Sequence, residues 1–99
     1  MKLGKETEIL EFKKSTSEIK EAIKSIASML NKHGDATVLF GVNNNGTIIG
    51  QQIGENTTRD ISQFIALNIK PQVVPNILIE FYDNKAIIKV HVTGNDKPY

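Results

Sequence analysis

Cysteine and tryptophan are absent from the 99 residues, and proline occurs three times. Without cysteine there is neither a disulfide framework nor a thiolate metal site, which fits a reducing compartment. No apolar run approaches the roughly 20 residues that a membrane helix needs, and the start MKLGKETE is not followed by an apolar signal core. A charge of one sign is missing too. Twelve Lys+Arg against eleven Asp+Glu leave a net charge of +1, which excludes an overall basic field. Residues 1–34 hold seven Lys against five Glu and residues 35–99 five basic against six acidic side chains, a small asymmetry that ordinarily means a solvated helix face. GVNNNG lacks the spacing and the Lys-Ser/Thr of a phosphate loop, and there is no nucleophile elbow, internal repeat or linker. These absences predict a cytoplasmic protein with one domain over residues 1–99 and a single core. The end GNDKPY is neither a helix terminus nor a charged tail, so the chain reads as the N-terminal part of a longer protein whose C-terminal domain lies elsewhere.

What is present is organised around residues 31–50, NKHGDATVLFGVNNNGTIIG. Thr37 to Val42 is apolar at successive positions, so this strand is expected inside a sheet and covered on both faces. Asn43-Asn44-Asn45-Gly46 supplies turn residues, and Ile48-Ile49 is expected to return as a partner strand running to about Gln52. Before it, Glu6 to Lys13 reads as a strand, with Leu10 and Phe12 on one face and Ile9, Glu11 and Lys13 on the other. Ser15 with Glu18 fits a capping box. Ile19, Ala22, Ile23, Ile26, Ala27 and Leu30 then follow helical spacing to a stop at Lys32-His33-Gly34. Afterwards Thr57 with Asp60 suggests a second cap, Ile61, Phe64, Ile65 and Ile69 a second helix, and Pro71 its end. Residues 77–82 and 86–92 make a hairpin across Asp83-Asn84-Lys85. The expected fold is α+β, a single mixed or antiparallel sheet with two helices in the order β-α-β-β-α-β-β.

Three groups of polar residues are candidate sites. His33 and His91 have no ligand spacing between them and read as surface or capping histidines, with no metal. Glu6, Glu8 and Glu11 could hold a divalent ion for phosphodiester cleavage. A straight strand, however, puts Glu6 and Glu11 about 17 Å apart, so a shared site demands a bend near residues 7–9. The blander reading is exposed strand acids. Lys13, Lys14, Lys32, His33 and the turn Asn43, Asn44 and Asn45 could meet phosphates through charge, amides and backbone N–H groups, or serve only solubility.

EILEFKKS, a helix ending in LNKHGDATVLFGVNNNGTIIG, and KPQVVPNI before an apolar hairpin resemble the Schlafen AlbA-like domain over nearly the whole chain. That family has an E-F-K strand, a helix ending A-N-T-x-G-G, a strand ending I-G-V, an acidic/Asn-Gly turn and a Pro after the second helix. The matching residues are Glu11-Phe12-Lys13, Asn31 with Gly34, Phe40-Gly41-Val42, Asn43 to Gly46, and Pro71. Asp35 departs from the pattern at the second Gly, and the turn reads Asn-Asn-Asn where Asp is common. The resemblance implies a DNA-binding domain of a transcriptional regulator or RecG-related helicase-like protein, with DNA or RNA as partner, no cofactor and no membrane. Pairing of two copies is compatible with it. The alternative it implies is a metal-dependent endoribonuclease like the animal Schlafen nucleases, with Glu6 and Glu11 matching their glutamates and Mg²⁺ or Mn²⁺ as cofactor. The aspartate of those nucleases is missing near the Asn turn. A protein-interaction module is the third reading.

Overall fold

The alternation of Leu10 and Phe12 with Glu11 and Lys13 produces strand β1 (Leu10–Lys13) in the computed structural model, which describes residues 2–99. The strand is shorter than the expected 6–13. Thr7 and Leu10 exchange hydrogen bonds of 3.0 and 3.3 Å across a turn at residues 8–9, and the Thr7 hydroxyl accepts from the Ile9 N–H at 3.2 Å. Residues 2–7 therefore double back as a strap along the outer edge of β1. After a 3-10 turn, helix α1 (Ile19–His33) buries Ala22, Ile26, Met29 and Leu30, and Gly34 caps its end in the left-handed region (φ 70). The capping box is displaced by one residue. Ser15 Oγ accepts from the Ser17 N–H, while the Glu18 carboxylate reaches back to the Lys14 N–H at 2.9 Å.

Strand β2 (Asp35–Phe40) follows, then helix α2 (Thr57–Asn68), strand β3 (Asn76–Tyr82) and strand β4 (Lys85–Thr93). The sheet order is β1-β2-β4-β3, with β1 parallel to β2 and the other pairs antiparallel. The fold is α+β with one mixed sheet and two helices. It has one strand fewer than expected. Residues 48–52 do not pair as a strand, because the Ile49 and Gly50 N–H groups both turn onto Gly41 O, leaving only the bridge Val42↔Ile48. Thr57 does not cap α2 through Asp60; its hydroxyl accepts from the Gly54 N–H at 2.7 Å.

The unbroken apolar run of β2 has its physical reason in two cores. Phe40 is 1% exposed on the helix side, packed with Val38, Ile88 and Val90 against Ile26 and Leu30 of α1 and Ile61 and Ile65 of α2. Leu39, 7% exposed, faces the other way, with Phe12, Val42, Ile48 and Ile87 beneath Leu3 of the strap. Burying a side chain of this size stabilises by roughly 1.5–3 kcal/mol, so each face of β2 is anchored separately. On the second face the cover is loop and strap, not helix, and beyond Leu39 the sheet lies open. Among the described residues no helix is long and apolar enough to cross a membrane.

Candidate nucleic-acid interface

The parallel register of β1 and β2 sets Lys13 beside Phe40, so Lys13, Lys14 and the turn that follows β2 share one end of the sheet. Lys13 O accepts from the N–H groups of Gly41 and Val42 at 2.8 and 3.1 Å, which locks the two strand ends together. The Lys13 ammonium lies 3.4 Å from the Glu11 carboxylate and its side chain is only 15% exposed, whereas Lys14 is exposed and makes no side-chain contact with an acid. In the turn, Asn43 Oδ1 accepts from the Asn44 N–H and Asn45 Oδ1 from the Thr47 N–H, so these two amides shape their own loop. Asn44 is exposed with its side chain outside that network. Gln51, which sequence reasoning passed over, ties the same end to the start of α1 by accepting from the Thr16 N–H at 2.9 Å and donating to its hydroxyl at 3.0 Å.

Asn31, Lys32 and His33 close α1 at the opposite end of β2, five residue steps or roughly 16 Å away. The structure does not bring them to the Asn turn. Asn31 clamps the backbone of Tyr99 on both sides, Oδ1 accepting from its N–H at 2.7 Å and Nδ2 donating to its O at 3.2 Å. His33 Nε2 sits 3.6 Å from Glu8, and His91 Nε2 is 2.6 Å from Asp35 Oδ1. Carboxylates thus meet both imidazoles there, while the first end carries Lys13 and Lys14 with two acids, Glu11 paired to Lys13 and Glu18 bonded to the Lys14 backbone N–H.

The bend required for the carboxylates exists: the turn at residues 8–9 returns Glu6 alongside β1. There its carboxylate accepts the Phe12 N–H at 2.8 Å, an edge amide that would otherwise face solvent. Glu11 pairs with Lys13, and among the described residues no three carboxylate or histidine groups converge to hold a metal ion. Glu6 and Glu11 as they stand do not fit a divalent ion, which needs several anionic oxygens around it.

The open sheet face holds a groove of about 460 Å³ whose lining includes Leu10, Leu39, Glu80, Tyr82 and Lys89. Its sequence signal was the alternation of Thr37 and Leu39 with the buried Val38 and Phe40. Burial, the charge of Glu80 and the hydrogen bond to it hold the Tyr82 hydroxyl above its ordinary 10.0. The family model described as Schlafen, AlbA_2 matches residues 6–99. No curated protein matches the chain.

Proposed function

The chain belongs to the Schlafen, AlbA_2 family, whose role is nucleic-acid-related, and from that premise we propose that it is a nucleic-acid-binding module, a DNA-binding part of a transcriptional regulator or helicase-related protein. The observation that carries the reading is the gathering of Lys13, the unpaired Lys14 and the exposed Asn44 at one sheet end. Helix α1 begins at that end too, but Glu18 and Glu21 in its opening turns offset its positive dipole end, so the positive charge there rests on the two lysines. Cations and amides there meet phosphate oxygens without reading bases. Lys32 and His33, beside Glu8 and Asp35, contribute less.

A salt titration of duplex DNA and of RNA tests this. Two or three phosphate contacts give a log–log slope of about −2 to −3. Lys14→Ala should make it shallower by about one, and Lys32→Ala should leave it unchanged. A slope that responds to Lys32 and not to Lys14 would move the surface to the other end. Absence of binding to any nucleic acid at low salt would end the reading.

Nuclease activity is the second reading, favoured by the turn that folds Glu6 back beside β1. Since the pair does not fit a divalent ion, cleavage of structured RNA with Mn²⁺ is expected to be weak or absent. Robust cleavage that disappears in the Glu6→Gln/Glu11→Gln double variant would replace the binding-only reading.

A further inference from the structure

The two edges of the sheet are treated differently. Along β1 the strap covers the edge, with Thr7 paired to Leu10 and Glu6 on the Phe12 N–H. Native sheets commonly guard an edge with an inward charge, proline, lysine or a bulge. The outer edge of β3 carries a single charge, Glu80, and no proline, lysine or bulge over the seven residues NILIEFY, whose register with β4 is continuous.

Its free groups can be named. Asp83 (φ 50) and Asn84 (φ 68) form a two-residue turn with positive φ at both positions, so the flanking Tyr82 and Lys85 are a hydrogen-bonded pair. Alternation then aims the backbone groups of Asn76, Leu78, Glu80 and Tyr82 at β4 and those of Ile77, Ile79 and Phe81 outward. The far side of β4 agrees, because Ala86 O accepts the Gln51 N–H at 2.8 Å and so points away from β3. Among the described residues no hydrogen bond reaches the N–H or C=O groups of Ile77, Ile79 and Phe81. The same edge exposes large side chains on both faces, Phe81 at 71% and Leu78 at 49%.

We propose that this edge pairs antiparallel with the same edge of a second copy of this chain, on a twofold axis through Ile79. In that register Ile79 meets its own copy and Ile77 meets Phe81, so three hydrogen-bonded pairs use every outward N–H and C=O. Phe81 gains a branched neighbour across the strands, a stabilising pair. Glu80 stands opposite Leu78, and the row Lys89, Leu78 and the second copy's Glu80 sets opposite charges about 10 Å apart. Other registers satisfy fewer of these groups: an axis through Leu78 sets Phe81 against Pro75, which has no N–H. An axis through Glu80 brings two carboxylates together and leaves Ile77 opposite Asp83, a turn residue with φ 50. One through Ile77 sets Ile79 against Pro75, which has no N–H. This match of the strand to itself is why a second copy, and not a foreign peptide, is the occupant. The product is one continuous sheet with four strands from each copy.

The absence of cysteine makes the register directly readable. Ile79→Cys should cross-link to itself under mild oxidation, since hydrogen-bonded partners lie about 5.5 Å apart, within disulfide reach. Phe81→Cys should cross-link far more slowly, its copies being about 13 Å apart. In sedimentation velocity over a concentration series the unmodified chain should dimerise. Phe81→Lys should raise the dissociation constant about tenfold or more. So should Ile79→Pro, which an outward edge position tolerates. A chain that stays monomeric at every concentration overturns the proposal, as does a dimer indifferent to Phe81→Lys or equal cross-linking of the two cysteine variants. If Ile79→Cys fails to fold, the Phe81→Lys measurement still decides.

Discussion

Gly46 is the residue on which the strap depends. Its backbone sits at φ +89, and a Cβ there would overlap the carbonyl oxygen of Gly4, while its own carbonyl accepts the Leu3 N–H at 2.8 Å. Gly46→Ala combines left-handed strain of roughly 1–2 kcal/mol with a steric block. It should destabilise by about 2 kcal/mol or more in denaturant unfolding, and free the strap in hydrogen exchange at Leu3. Tyr82 supplies a pH prediction. Because its folded pKa is raised above 10.0, the stability it contributes is complete below that value and is lost as pH climbs through the folded one. Denaturation midpoints between about pH 9 and about pH 12 should fall more steeply in the wild type than in Tyr82→Phe; parallel curves would remove Tyr82 from the account.

At the scale of elements, Asn31 stands between a binding role and a structural one. Its two hydrogen bonds to the Tyr99 backbone predict that Asn31→Ala costs about 1–2 kcal/mol of stability and loosens residues 95–99. The salt slope for nucleic acid should not change. Equal stability with weakened binding would assign it to the interface instead. The apolar run of β2 and the spacing of α1 were legible because periodicity reports burial directly. The buried Met29 of α1 was not singled out, although it completes that helix's inner face. Residues 48–52 misread as a strand because Ile48 is buried by a loop, and burial alone does not distinguish a ladder from a turn. The doubling-back at residues 8–9 was named only as a condition for Glu6 to meet Glu11, since nothing in Thr-Glu-Ile marks a turn the way Asn-Gly does.

For the whole molecule, element order and the two sides of β2 could be reasoned from pattern, but the grouping of surface residues could not. Lys13, Lys32, His33 and Asn43 to Asn45 all looked like neighbours of strand or helix ends; which end each occupies follows from the parallel pairing of β1 with β2, a long-range fact. The open face was hidden for a related reason. A strand buried on both sides reads alike whether helices or a strap complete the second core. The position of β4 has a further consequence, for the order in which the chain can become a protein. It follows the other three strands of the sheet along the chain, yet it lies between β2 and β3, touching both. Until it emerges, β3 has no partner at all and β2 only the short β1, so an incomplete chain is not a smaller domain but an unfinished one. Such late, non-local closure delays folding and leaves apolar strands exposed in the meantime. Removal of the final strand should therefore leave no folded remnant behind.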